Sequence, residues 1–326
     1  MKNSKPGRGL VNASAILLAI SCFAQTRPIQ ETAQSIFKTS GAPHGALLVI
    51  QDDKTYFEGY GNAKQDSLVR IGSISKVLNA SVMVKLASQG KLKLEDPLQR
   101  YAPAGTSLPQ PITLFHLATH TSGLPRSFNF KTRWSSFPNT VPGNSALYSN
   151  LAFVLLAEAQ AKATNTPYHE LLESQITKPL GLKDTTPAPS ASQCARLLSD
   201  PPCTTDFPLA GTASVYSTPH DMGIWLKHLI LNKALHKTYI QRESLKSAEG
   251  LDSAGYAKAI GLGWIEPKTQ TRILEKTGGH DGFLTYIAFT PNGRTGVFAV
   301  ITTMDLEASR RMAARVNELI EELNKQ

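Results

Sequence analysis

The chain of 326 residues is 41% hydrophobic and 18% charged, a composition that excludes collagen-like, low-complexity and disordered chains and is ordinary for a globular protein. Its formal net charge of +9 does not make it a nucleic-acid binder, because the Lys and Arg residues form no long run and no pattern interleaved with aromatics. The charge supports at most a weak peripheral attraction to anionic polymers or membrane surfaces.

Residues 1–24 read as a secretory signal: Lys2, Lys5 and Arg8 are followed by a short apolar run from Val11 to Ile20, and Cys22-Phe23-Ala24 is a small-residue cleavage site before Gln25. The run is too short for a stable membrane anchor. Ala19-Ile20-Ser21-Cys22 is a degenerate lipoprotein signal with alanine in place of leucine, so cleavage after Ala24 is preferred. Removal of three cations and no acid lowers the net charge from +9 to +6. The expectation is an exported, periplasmic protein.

Residues 28–39 read as a short amphipathic helix. His44 to Gln51 and Thr55 to Tyr60 read as strands joined at Asp52-Asp53-Lys54, a hairpin signal. A helix is expected from Ser73 to Gln89, with Val77, Ala80, Val84 and Ala87 at helical spacing and Gly90 ending it. Short helices follow at Asp96-Pro97-Leu98 and over Ile112–Ala118, then a turn cluster Thr119–Pro125 and a loop over 126–147. Leu151 to Ala163 is a strongly apolar helix, 184–212 a second long loop, and Thr218-Pro219-His220-Asp221 caps a helix over Met222–Asn232. Gly261–Glu266, Thr271–Lys276, Phe283–Pro291 and Thr295–Met304 read as consecutive strands, and Leu306–Leu323 as a closing amphipathic helix. Two strands near the start and four near the end predict an α+β fold: one antiparallel sheet built from both ends (about 28–90 and 255–326), flanked by terminal helices, with a mostly helical insertion over about 91–254.

Of the two cysteines left after processing, Cys194 and Cys203 lie close together in a Pro/Ser-rich loop. An oxidising compartment favours their pairing, which closes a loop worth about 2.5–3 kcal/mol on the chain-entropy argument. No nearby His or further Cys completes a metal set.

Ser-x-x-Lys places a hydroxyl and an amine one helical turn apart, on one face. A serine needs an adjacent base to become a nucleophile, and burial or nearby positive charge can deprotonate a lysine enough to serve. The pattern occurs at Ser35–Lys38, Ser73–Lys76 and Ser88–Lys91. The first lies on a plain surface helix and the third straddles the break at Gly90, which leaves Ser73–Lys76. An acylating serine also needs a proton shuttle and donors for the oxyanion. Tyr148-Ser149-Asn150, at the start of the Leu151–Ala163 helix, offers a phenol and an amide. A tyrosine flanked by ammonium groups can have a lowered pKa and act as a base, and the asparagine can orient substrate and lysine. Taken alone, Tyr148 reads more readily as a packed aromatic. Ser127-Phe128-Asn129 and Tyr60-Gly61-Asn62 are weaker versions of the pattern. Lys276-Thr277-Gly278-Gly279 ends a predicted strand, where a lysine and a hydroxyl can hold a carboxylate and glycines leave the backbone open to a substrate. Singly, it is a common strand-to-turn signal.

Together and in this order, the three elements resemble the signature of the serine β-lactamase and penicillin-binding protein superfamily. Tyrosine in the second element is similar to the class C branch, which also contains D-alanyl-D-alanine peptidases and carboxylesterases. Pro111–Ser122, Tyr148–Phe153, Gln175–Thr186, Val215–Pro219 and Leu262-Gly263-Trp264 resemble the AmpH-type D-alanyl-D-alanine carboxypeptidase/endopeptidases of bacterial periplasms, over essentially the whole mature chain. The resemblance implies Ser73 as nucleophile, Lys76 and Tyr148 as the proton-transfer pair, Asn150 as a positioning group, and Lys276 and Thr277 as carboxylate binders. The N–H groups of Ser73 and Gly279 would form the oxyanion hole, with Gly278 between strand and substrate. It implies no cofactor or metal, and peptidoglycan peptides and β-lactams as partners. Which of Lys76 and Tyr148 takes the first proton stays open. His280 departs from that group's glycine-rich pattern and is expected to alter the cleft floor.

Other classes fit less well. A Ser-His-Asp hydrolase prefers Gly-x-Ser-x-Gly, which is absent. His116 and His120 lack the glutamate of H-E-x-x-H and read as a helix-end residue and a turn hydrogen-bonder. A class C-like β-lactamase or carboxylesterase, and a non-catalytic penicillin-recognising protein, remain the alternatives.

Overall fold

The computed structural model describes residues 13–135, 137, 140–232, 248–251, 257–291 and 293–325, with the backbone alone for 13–25 and 248–249. Residues 1–12 of the expected signal lie outside the described residues.

Alternation along the first strand sets the layers. In β1 (Gly45–Gln51), Leu47 and Val49 join one buried cluster, while Ala46, Leu48 and Ile50 join another. Strand side chains alternate between the two faces, so both faces of β1 are covered. The remaining strands are β2 (Lys54–Tyr60), β3 (Val69–Arg70), β4 (Ala146–Leu147), β5 (Tyr216–Ser217), β6 (Ala248–Glu249), β7 (Ala257–Ile260), β8 (Ile265–Pro267), β9 (Leu274–His280), β10 (Phe283–Phe289) and β11 (Thr295–Ile301). Seven form one antiparallel sheet in the order β2-β1-β11-β10-β9-β8-β7. The N-terminal hairpin therefore docks on the last strand of the chain, with Leu48 opposite Phe298.

Two strand readings are corrected. The strand expected over Gly261–Glu266 holds only for Ile265 and Glu266, which lie in β8, while 261–264 is the turn of a hairpin between β7 and β8: Gly263 takes φ +77, and the Gly261 N–H donates to the Trp264 carbonyl at 2.9 Å. Lys276–Gly279 does not end a strand but lies inside β9, which turns at Asp281 and Gly282, both at positive φ. An Asp-Gly pair between strands is a strong hairpin signal.

The outer face is covered by α1 (Ala13–Ser40), through Ile29, Ala33, Ile36 and Phe37, and by the C-terminal helix Leu306–Asn324, through Met312, Val316, Leu319, Ile320 and Leu323. The helix expected over 28–39 thus begins earlier and runs through the predicted cleavage point. The inner face carries α2 (Ser75–Ser88), buried from Ser75 to Val84 on every side, as a helix at the centre of a large domain must be. Around it lie α3 (Leu114–Ala118), α4 (Asn150–Thr164) and the Pro219–Leu231 helix. Asn79 of α2 ties the layers by donating to the carbonyls of Phe153 and Gly211, each at 2.9 Å. Cys194 and Cys203 form a disulfide, with Cα atoms 5.9 Å apart. No helix of the described residues is long and apolar enough to cross a membrane.

Candidate active site

Ser73 stands where strand becomes helix. After β3 the chain makes a single 3-10 turn over Gly72–Ile74, with Gly72 at φ +53, and the α-helix begins at Ser75 rather than at Ser73. The turn is held from several sides. The Ile71 carbonyl accepts from Thr285 Oγ1 at 3.0 Å, the Ile71 N–H donates to the Val215 carbonyl at 3.1 Å, and Ser75 Oγ donates to the Gly72 carbonyl at 2.7 Å. Ser73 itself is only half-buried, on a backbone fixed by these bonds.

Two proton-bearing groups reach that hydroxyl. Lys76 Nζ is 3.1 Å from Ser73 Oγ and also donates to the Thr212 carbonyl at 2.9 Å. The Tyr148 hydroxyl donates to Ser73 Oγ at 2.6 Å. Tyr148 immediately precedes α4, whose N-cap Ser149 accepts from the Ala152 N–H. Lys76 is fully buried, and burial first, then the charges of Lys276 and Arg126, hold its pKa well below the ordinary lysine value. A neutral amine is therefore within reach, with a lone pair for the Ser73 proton. Tyr148 moves the other way: burial pushes its hydroxyl up to about 12, outweighing the Ser73 hydrogen bond and Arg126. The lowered tyrosine pKa expected from flanking ammonium groups is thus corrected, because desolvation of a phenolate exceeds their attraction. At neutral pH Tyr148 is a proton donor.

The third element lies against the turn that carries Ser73. β9 is paired along its length with β10 but with β8 only at Glu275, so from Lys276 onward its other edge has no strand partner among the described residues. A Cβ on Gly72 would lie 2.5 Å from Gly279 N, and one on Gly278 would lie 2.1 Å from the Ile71 carbonyl oxygen. Only glycine lets this turn and this strand approach so closely, and the approach brings the backbone around Ser73 and Gly279 together. Gly279 is exposed and Thr277 half-buried. Lys276 is buried and its Nζ has no hydrogen-bond partner among the described residues, although it lies 4.9 Å from the Tyr148 ring centroid. Burial lowers its pKa to about 7.

Asn150 is half-buried at the first residue of α4, and its N–H donates to the Arg126 carbonyl at 3.3 Å. No hydrogen bond joins its side chain to Lys76 or Ser73 among the described residues, so the expected orienting contact with the lysine is not made here. His280, at the end of β9, is half-buried with Nδ1 3.1 Å from Asp281, which in turn lies 3.4 Å from Arg70. The turn that follows, at Asp281 and Gly282, meets the loop closed by the disulfide: a Cβ on Gly282 would lie 2.8 Å from the Asp200 carbonyl oxygen, and Arg70 donates to the Pro202 carbonyl at 2.8 Å. The other two Ser-x-x-Lys copies take no part.

Three neighbours were not read from the sequence as site residues. Arg126 sits with its guanidinium 4.9 Å from the Tyr148 ring. Thr212 supplies the second anchor for Lys76. His120 stacks on Tyr148 with ring centroids 4.6 Å apart. The turn cluster Thr119–Pro125 was visible, but nothing in it marks which residue faces Tyr148. The described residues contain no group of three or more His, Cys, Asp or Glu that could hold a metal.

The Beta-lactamase family model matches residues 29–322. The chain belongs to the beta-lactamase family. It is 39% identical to the D-alanyl-D-alanine-carboxypeptidase/endopeptidase AmpH of Escherichia coli K12, over 91% of this chain and 89% of that protein. Among solved structures, the beta-lactamase/D-alanine carboxypeptidase from Yersinia pestis superposes with a TM-score of 0.86 at 37% identity, covering 93% of this chain and 99% of that one. A class C beta-lactamase at 18% identity superposes with a TM-score of 0.72, covering 89% of this chain and 95% of that one, which shows a shared fold. The α+β architecture with its antiparallel sheet is that of this family.

Proposed function

We propose that the chain is an exported serine D-alanyl-D-alanine carboxypeptidase/endopeptidase of the periplasm, acting on peptidoglycan peptides through a Ser73 acyl-enzyme and binding β-lactams with slow hydrolysis. The observation that carries this reading is the convergence of Lys76 and Tyr148 on one serine oxygen, at 3.1 and 2.6 Å. The similarity to AmpH supports the choice of substrate.

Lys76, uncharged, takes the Ser73 proton as Oγ attacks the carbonyl of the penultimate D-alanine. The developing oxyanion is bound by the N–H groups of Ser73 and Gly279, donors fixed before the reaction begins. Tyr148 gives its proton to the leaving amine, and the Lys76 ammonium restores it. Water then enters by the reverse sequence and frees Ser73. Lys276 and Thr277 hold the substrate carboxylate, Gly278 lets the peptide lie along the open edge of β9, and Asn150 positions its amide. A buried lysine without a partner suits an anion supplied by the substrate, because an uncompensated buried charge is costly.

Residues 1–24 act as the signal, leaving one catalytic unit from Gln25 in which the helical insertion over about 91–254 caps the sheet. Pro28 would then fall in the first turn of α1, where its missing N–H costs nothing.

The test is release of D-alanine from a pentapeptide ending in D-Ala-D-Ala, run beside nitrocefin hydrolysis and labelling with a fluorescent penicillin. D-alanine release with slow nitrocefin turnover is expected, and Ser73→Ala should lose all three signals. Rapid nitrocefin turnover without D-alanine release would make the protein a β-lactamase. Full activity in Ser73→Ala would remove the mechanism altogether.

A further inference from the structure

Tyr148 is clasped from both sides by one residue. The His120 carbonyl accepts from the Leu147 N–H at 2.8 Å, and His120 Nδ1 accepts from the Ser149 N–H at 3.0 Å. Between these two bonds the imidazole lies against the phenol ring, centroids 4.6 Å apart and planes 26° from parallel. The far side of the imidazole meets Phe153 of α4, 4.9 Å away. The residues on either side of Tyr148, through their N–H groups, and the Tyr148 ring are thus held by His120.

The residue holds this place in an unfavourable state. Its φ is +55, a conformation that favours glycine or asparagine. It is fully buried, and Nε2 has no hydrogen-bond partner among the described residues. Because Nδ1 accepts, the proton of the neutral ring is on Nε2. Burial first, then the nearby Lys276, Lys76 and Arg126, keeps the ring neutral, so His120 adds no positive charge beside Tyr148. A side chain that merely filled a turn would relieve the backbone by being glycine, and would not leave a buried donor unpaired. Strain of this kind persists where surrounding structure imposes it for function.

We infer that His120 is a positioning residue for Tyr148, fixing through its carbonyl, its Nδ1 acceptor and its stacked ring the direction in which the phenol hydroxyl faces Ser73. The inference rests on the proposed acyl-transfer reading, since Tyr148 needs placement only if it moves a proton.

Two substitutions separate the contacts. His120→Phe keeps a ring and loses the Nδ1 acceptor. His120→Asn tolerates the positive φ, keeps an acceptor near the Nδ1 position and loses the stack. Each protein is titrated with fluorescent penicillin, so that rates refer to acylatable sites and a folding defect is counted separately. The acylation rate constant should fall about 10²-fold in His120→Phe, the scale of loss from small misplacement of a reacting group. It should fall about tenfold in His120→Asn, the value of a lost aromatic stack converted to a rate. KM for the D-Ala-D-Ala peptide should stay near that of the unsubstituted protein in both. A per-site acylation rate unchanged in His120→Phe would overturn the inference. So would losses that appear only in KM or in the fraction of acylatable protein. If His120→Phe yields no folded protein, His120→Asn decides alone, and an unchanged per-site rate refutes the role. Acylation by penicillin reads the same step whether or not the peptide is the substrate. A failure of the peptidase reading therefore shows as a silent peptide assay in the unsubstituted protein, distinct from a failure of the His120 inference.

Discussion

The buried, unpartnered Lys276 makes the clearest claim, because its pKa of about 7 places its charge change inside the assay range. An ammonium holds a substrate carboxylate and a neutral amine does not. With a pKa near 7, the protonated fraction falls from about 0.9 at pH 6 to about 0.1 at pH 8. KM for a peptide with a free C-terminal carboxylate should therefore rise about ninefold across that interval. Lys76 works in the opposite sense: it must be uncharged to accept the Ser73 proton, so kcat should climb with pH through its lowered pKa and then level off. A neutral ester such as p-nitrophenyl acetate needs no carboxylate site, and its KM should stay flat while its kcat follows the same climb. The measurement is a pair of initial-rate series from pH 6 to 9, peptide beside ester, at constant ionic strength. A peptide KM independent of pH, or an ester KM that rises in parallel, would refute the carboxylate role of Lys276.

Other consequences are equally open to measurement. Lys276→Met should raise the melting temperature by at least about 2 °C while abolishing turnover of carboxylate substrates, because an apolar chain replaces a desolvated cation. The sign can be checked by pH. The folded pKa lies below the ordinary value of 10.5, so between about 7 and 10 the unfolded chain binds more protons and wild-type stability should rise with pH, a slope that Lys276→Met should make shallower, leaving the part that Lys76 contributes. Gly72→Ala forces a Cβ to 2.5 Å from Gly279 N at a positive φ, and should lower kcat about 10²-fold by separating the turn from β9. Opening the Cys194–Cys203 loop by double substitution with serine should cost about 2.5–3 kcal/mol in denaturant unfolding, and an unshifted midpoint would exclude that contribution.

Much of this arrangement is legible in the residue order. Near-continuous apolar runs in Gly45–Gln51 and the β10–β11 segments make strands covered on both faces readable, and the N-cap residues Ser149 and Thr218 mark their helices. The three motif segments are legible because chemistry restricts residue type at short spacing. Other features are set by partners distant in the chain. His120 is a turn residue in sequence and a neighbour of Tyr148 only once α3 and α4 have packed. The raised pKa of Tyr148 depends on burial among neighbours such as His120 and Gly250, which no local pattern encodes. The β7–β8 hairpin was missed because Gly261 and Gly263 were read as parts of a strand instead of as the turn signal they are. Lys276–Gly279 was placed at a strand end for the converse reason, since the Asp281-Gly282 turn lies just beyond it.

The bond from Thr285 to the Ile71 carbonyl spans 214 residues of chain, and it has a temporal meaning. A growing chain that contains Ser73 and Lys76 but not β9, β10 and β11 has only β2 beside β1, no Gly279 N–H and no Lys276. Its serine is then an ordinary alcohol. Pairings this remote along the chain form late in folding, because loop closure must precede them. Acylating power should therefore appear only after the last strands have docked, so that an immature chain cannot be trapped by a β-lactam or attack peptide bonds before it is whole.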